Sequence, residues 1–197
     1  MRRSEFKIED KNLIESFLNK AESGTVAMVS KNGEPYATQV NLVWFDNAIW
    51  FHSGLTGTKM SILKQSPKVH ISVVEESCFI PSYATSSEDP CNATQFFRSV
   101  HIKGIAEIIH DLDLKAQVLS SLMTKMQPEG KHRSLSESKK GLLGTALIKI
   151  LKKEITAKFK FGQNLTSQKR ASLLDTLNES TDPRAKSALE WIKKLQP

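Results

Sequence analysis

The run Ser53-Gly54-Leu55-Thr56-Gly57-Thr58-Lys59 puts hydroxyls, two glycines and one lysine directly ahead of a helix-forming segment. Free backbone N–H groups at a helix start, with the helix dipole behind them, favour a bound anion, and a phosphate above all. Lys59 would bring the positive charge, and Ser53, Thr56 and Thr58 the hydroxyls. A capped surface helix with an exposed lysine would use the same residues, so the run alone leaves both readings open. Other chemistries find little footing. The Gly-x4-Gly-Lys-Ser/Thr spacing of a P-loop is absent, as are Gly-x-Gly-x-x-Gly, Gly-x-Ser-x-Gly and His-Glu-x-x-His. The five histidines, at 52, 70, 101, 110 and 132, show no pairing at metal-ligand spacing.

The elements that must position this cradle follow from periodicity. Residues 9–22 carry Ile14, Phe17, Leu18 and Ala21 at helical spacing and end at Gly24. A strand over 25–30, the Asn32-Gly33 turn and a return strand over 36–45 make a hairpin. Tyr36, Thr38, Val40, Leu42 and Trp44 share one phase of that return strand. Asp46-Asn47 turns the chain again into a strand over 48–53, so the segment is an antiparallel meander. A helix over 58–65 and a strand over 69–75 come next. Residues 77–93, with Pro81, Pro90 and several serines, read as a long loop. A long strand spans 94–109, with Gly104 at a bend, and a helix spans 112–126. Residues 128–140 are polar and read as mobile. Residues 145–161 alternate in period two, with a phase break near Lys152-Lys153 that a bulge or bend would absorb. Two helices divided near Thr181-Asp182-Pro183 complete the chain. The expected class is mainly β with α: a six-stranded antiparallel split β-barrel with flanking helices and a C-terminal helical tail. The expected division is a barrel domain over 1–164 and a helical extension over 165–197.

Composition sets the outer bounds. The apolar share of 39% supports a real core, while no apolar run approaches the roughly 18–20 residues of a spanning helix. The basic start Met1-Arg2-Arg3 has no apolar stretch behind it, so no signal peptide is expected. Cys78 and Cys91 form no metal pattern and fit two free thiols in a reducing, cytoplasmic setting, with a disulfide between them as the alternative. The Asn-x-Ser/Thr matches at Asn92, Asn164 and Asn178 are then coincidental. The net charge of +7 is uneven: residues 1–114 hold 11 Lys/Arg against 14 Asp/Glu, and residues 115–197 hold 17 against 7. The basic residues are spread along amphipathic helices, so attraction for phosphorylated small molecules or a solvated basic face ranks ahead of a nucleic-acid partner.

Several segments then occur in a telling order: Gly24-Thr25-Val26-Ala27, Asn32-Gly33-Glu34-Pro35-Tyr36, Val40-Asn41, Ile49-Trp50-Phe51-His52-Ser53, Gly57-Thr58-Lys59 and Pro67-Lys68-Val69. With Phe97-Arg98-Ser99-Val100-His101-Ile102-Lys103-Gly104 after the variable loop, this resembles the pyridoxamine 5′-phosphate oxidase-like FMN-binding split barrels, and within them the nitroimidazole-resistance (Nim-like) branch. Lys158-Phe159-Lys160-Phe161-Gly162-Gln163-Asn164 is similar to the closing strand of the PaiB-type proteins.

The resemblance implies FMN as cofactor and assigns roles by position. Thr38, Gln39, Val40 and Asn41 would run beside the isoalloxazine ring. His52 and Ser53 would lie near the ribityl chain or phosphate, and Thr58 and Lys59 would hold the phosphate. Arg98 and Ser99 would approach the flavin from the partner subunit of a homodimer, with Gln163 and Asn164 as further contacts. Each also has a plainer reading, as a rim residue, a strand-end histidine or a surface ion pair. Trp44, Trp50 and Phe51 read as core or dimer-contact aromatics. Thr38 stands near the place of a strand arginine in the oxidases proper, and Thr58 where another arginine is often found, which argues against vitamin-B6 oxidation itself. The implied activity is an FMN-dependent oxidoreductase passing electrons or hydride from NADH, NADPH or another donor to a small acceptor, nitro-aromatics included. The alternatives are a flavin- or haem-binding regulatory or sensor module and, behind it, a pyridoxamine-phosphate oxidase.

Overall fold

A computed structural model describes residues 2–195. In chain order the elements are β1 (Lys7–Ile8), α1 (Lys11–Lys20), β2 (Ser23–Val29), β3 (Pro35–Phe45), β4 (Ala48–Gly54), α2 (Thr58–Gln65), β5 (Lys68–Ile80), β6 (Thr94–Ile109), α3 (Leu112–Met126), α4 (Lys139–Leu143), β7 (Thr145–Lys160), α5 (Ser167–Glu179) and α6 (Pro183–Lys194). They fall into two compact units. One is Asp10–Val73 with Val100–Thr156; the other is the described part of Met1–Glu9, Val74–Ser99 and the described part of Ala157–Pro197. The last two residues of the expected helical extension lie outside the described residues.

The first unit is the barrel. Asp10 caps α1 by accepting from the backbone N–H groups of Asn12 and Leu13, and the helix buries Ile14, Phe17 and Leu18. β2 and β3 form the expected hairpin, with Gly33 at φ 86° in its loop. Asp46 and Asn47 both take positive φ, 48° and 56°, as a two-residue hairpin of the twisted kind requires. Strand order is β4-β3-β2-β5-β6, and β7 pairs with both β4 and β6, so six antiparallel strands close into a ring. One phase of each strand is buried, for example Val26 and Met28, Val40 and Leu42, Ile71 and Val73, and Val100 and Ile102. Val43, Ala48, Trp50 and Leu147, on the other phase, pack against Val118 and Leu122 of α3. The buried Lys115 ammonium donates to the Thr145 carbonyl at 2.9 Å and to Leu142 at 3.4 Å, tying α3 to the start of β7.

Gly104, expected at a bend, lies within the β6 span. β6 is continuous, and a Cβ at 104 would lie 2.7 Å from the Leu151 carbonyl oxygen and 2.7 Å from Ile150 Cγ2. The glycine is there because β6 and β7 approach closely where the ring closes.

In the second unit, β1 pairs with β7 through Lys7↔Lys158 and Ile8↔Ala157. Two residues carry no periodic signal, so sequence reading passed β1 over. The reading of 77–93 as loop also needs correction. β5 runs to Ile80 with Cys78 and Ile80 buried in alternation, and short 3-10 turns at Ser82–Thr85 and Pro90–Asn92 structure the remainder. The stretch 128–140, read as polar and mobile, holds a 3-10 turn at Leu135–Glu137 and overlaps the start of α4 at Lys139. Phe159 meets Trp191 of α6 edge-on and Phe161 stacks on it, with ring centroids 5.4 and 5.9 Å away. α5 and α6 bury Leu173, Leu177, Ala185, Ala188 and Ile192. Cys78 is buried and Cys91 exposed, each as a free thiol. No helix among the described residues is long and apolar enough to cross a membrane.

Candidate functional site

β3 pairs with β2 from Ser23↔Asn41 to Val29↔Pro35. Its pairing with β4 is much shorter, from Phe45↔Ala48 only to Leu42↔Phe51. Continued by one more step, that ladder would set Asn41 against His52, and then Val40 against Ser53. Instead His52, Ser53 and Gly54 keep only their partners Leu147, Ala146 and Thr145 on β7. The two strands therefore part just where Thr38–Asn41 and His52–Ser53 begin, and each presents a backbone edge with donors and acceptors outside any β3–β4 ladder. Six of the expected site residues flank this parting.

Their side chains differ in what they offer. Val40 is buried, so only its backbone can serve a ligand. Gln39 is engaged on the sheet surface, accepting from the Thr25 hydroxyl at 3.2 Å and donating to Ser23 Oγ at 2.7 Å. Asn41 is exposed, with its amide nitrogen 3.9 Å from Met126 Sδ. Thr38 and Ser53 are half-buried.

α2 is the element expected to supply the anion cradle. Its N-cap is Gly57, at φ 101° and ψ 171°, with no side-chain hydrogen bond to the helix start. The first-turn N–H groups thus lack the acceptor that a serine or aspartate cap would have given. The helix start carries no side-chain cap, and Lys59 is half-buried rather than exposed. Its ammonium lies 5.5 Å from the centroid of the Phe51 ring, and burial lowers its pKa from the ordinary lysine value. His52, on β4, is lowered too, by desolvation first and by the Lys59 charge second. Two groups that would each gain from a nearby negative charge thus sit beside uncapped backbone donors.

The other four expected residues belong to the second unit. Arg98 is ion-paired with Glu75, and its guanidinium lies over the Trp191 ring at 4.4 Å. Ser99 is buried. Gln163 closes the turn after β7: its amide donates to the Phe159 carbonyl, and its Oε1 accepts from the Phe161 N–H, both at 2.8 Å. Asn164 is exposed. Sequence reading missed the β3–β4 parting and the pairing of His70 with His101, whose ring nitrogens are 3.2 Å apart on adjacent strands. Among the described residues no group of three or more His, Cys, Asp or Glu is placed to hold a metal.

A closed six-stranded antiparallel barrel, parted between two neighbouring strands and carrying a helix without a side-chain cap beside the gap, defines a split-barrel protein. Residues 11–159 match the pyridoxamine 5′-phosphate oxidase family, and the chain belongs to it. Among curated proteins none matches. Its fold is similar to that of a candidate 5-nitroimidazole antibiotic resistance protein from Bacteroides thetaiotaomicron (23% identity, TM-score 0.65, 77% of this chain and 85% of that one). It is also similar to the FAD and heme binding protein from Mycobacterium smegmatis (18%, 0.66, 84% and 79%). A third likeness is to the flavocytochrome Anf3 from Azotobacter vinelandii (18%, 0.67, 84% and 75%).

Proposed function

We propose that this chain binds FMN at the β3–β4 parting and acts as an oxidoreductase on a small acceptor. The observation that carries the reading is the coincidence of two features: backbone edges of Thr38–Asn41 and His52–Ser53 that lie outside the β3–β4 ladder, and the uncapped start of α2 with Lys59. The first suits the polar edge of a planar heterocycle, and the second suits a phosphate. When bound, FMN supplies the redox chemistry. The chain's own residues bind and orient it. Thr58 and Lys59 hold the phosphate with the first-turn N–H groups, His52 and Ser53 flank it, and the β3 backbone sets the register of the ring.

With a single lysine in place of a basic cluster, the cradle relies on hydroxyls and helix-end donors. That favours FMN binding without vitamin-B6 oxidation, and nitro-aromatic compounds are the acceptors to test first. A homodimer with two FMN sites belongs to the same proposal, and a solution mass of twice the chain's would support it. The deciding experiment is an absorbance spectrum of the purified protein reconstituted with FMN, before and after anaerobic NADH or NADPH. A bound-flavin spectrum that bleaches on reduction is expected, and the absence of bound flavin after reconstitution would sink the reading.

A further inference from the structure

Lys115 is the one charged side chain buried in the core among the described residues, at 6% exposed, and the flavin reading gives it no part. A lysine is almost never buried this far unless its charge is paired. Its ammonium carries three N–H donors. Two are directed at the Thr145 and Leu142 carbonyls, at 2.9 and 3.4 Å, which fixes the side chain against the end of α4. Those acceptors are neutral, and a helix of five residues adds only the partial charge of its carbonyl end. Among the described residues no carboxylate pairs with Lys115. The same side chain lines a cavity of about 320 Å³ within the barrel unit. Leu55, Met60, Ile108 and Ile109 give that cavity apolar walls, and the exposed Lys64 and His110 also line it. No carboxylate lines it among the described residues. Met60 and Lys64 are four apart and share one face of α2, a different face from that of Lys59. A buried ammonium with a donor to spare, at an apolar cavity without a counter-charge, is a site whose missing partner is a small anion with a hydrocarbon body.

We propose that this cavity binds a short-chain aliphatic carboxylate, with its headgroup on the Lys115 ammonium and its tail between Leu55, Met60 and Ile108. The volume lies at the small end of ligand sites and suits a chain of roughly four to eight carbons, not a flavin. The carboxylate accepts the remaining Lys115 N–H in a charge-assisted hydrogen bond and supplies the absent counter-charge. An alcohol of the same length fills the walls equally well but leaves the buried charge unpaired, so the site discriminates by charge at its floor and by length along its walls. Lys64 and His110 add positive potential that draws the anion in. Neither Lys115 nor the apolar walls belong to the residues assigned to FMN, so the two readings stand or fall separately.

Isothermal titration of the full chain with butyrate, hexanoate and octanoate, and with 1-hexanol as the neutral analogue, tests this. One acid should bind per chain, with affinity rising about fourfold for each added methylene until the cavity is full. Hexanol should bind about tenfold more weakly than hexanoate. Lys115→Met keeps the apolar length without the charge and should erase the preference for hexanoate over hexanol. Leu55→Asp, at a loop position 47% exposed, sets a carboxylate at the cavity without disturbing the core. It should abolish hexanoate binding, which keeps the test decisive if Lys115→Met does not fold. The titration needs no flavin, so a chain that fails to bind FMN would sink the flavin reading and leave this one standing. Added FMN should leave hexanoate affinity unchanged. The proposal is overturned if no acid binds, if hexanol binds as tightly as hexanoate, if Leu55→Asp still takes up hexanoate, or if FMN competes with it.

Discussion

His52 and Lys59 are held below their ordinary pKa values by burial, and for His52 also by its neighbour's charge. A phosphate placed beside them reverses both effects, so FMN binding should take up protons. Affinity is then expected to strengthen as pH falls from about 8 to 6.5, before the phosphate itself begins to protonate. Isothermal titration in buffers of different ionisation enthalpy reads the uptake directly. Lys59→Gln would remove the proposed charge-assisted contact, and FMN should then bind roughly 10- to 100-fold more weakly, measured by flavin fluorescence quenching. The His70–His101 pair acts on stability instead. Burial and then His70 lower the pKa of His101 from 6.5, so the unfolded chain binds more protons than the folded one below that pH. Stability should therefore fall as pH drops from roughly 7 to 5, and His101→Gln should flatten the urea midpoint's dependence on pH over that window.

At the scale of elements, glycine positions rank by what a methyl group would meet. At Gly104 the obstacles include the Leu151 carbonyl at 2.7 Å, which is backbone across the closing pair of strands. At Gly24 the nearest obstacle is Leu42 Cδ1, also at 2.7 Å, the end of a side chain. Gly104→Ala should destabilise by about 1–3 kcal/mol and Gly24→Ala by less, as urea denaturation would show. Much of this layer was legible beforehand, because hairpin signals and period-two runs mark β2, β3, β4, β6 and β7 directly. The burial phase of β7 shifts from Ala146, Ile148 and Ile150 to Ala157 and Phe159 across the exposed run 151–154, as the break near Lys152-Lys153 implied. The end of β5 was hidden by serine and proline, although Cys78 and Ile80 kept the alternation. The parting of β3 from β4 had no signal at all. Strand-forming residues continue through Thr38–Asn41 and His52–Ser53, and which neighbour each keeps is settled only by closing the ring. The helix start expected to form the cradle could be placed from sequence, but the parting beside it could not.

For the molecule as a whole, the closed ring leaves the barrel no long free edge beyond the β3–β4 parting, so the proposed dimer must join through faces rather than by adding strands. Closure also has a consequence in time. The β4–β7 ladder joins residues roughly 90 to 100 positions apart, and contacts of such separation slow folding toward the millisecond-to-second range. The β2–β3–β4 meander needs only short loops and can assemble early, whereas β7 must arrive before β4 and β6 find their last partners. The seam at Gly104 should then be unformed in the folding transition state. In a chevron measurement Gly104→Ala would accelerate unfolding and leave the refolding limb almost unchanged, and a slowed refolding limb would instead place closure in the nucleus. The residue that lets β6 and β7 touch would thus set how long the barrel stays shut more than how quickly it forms.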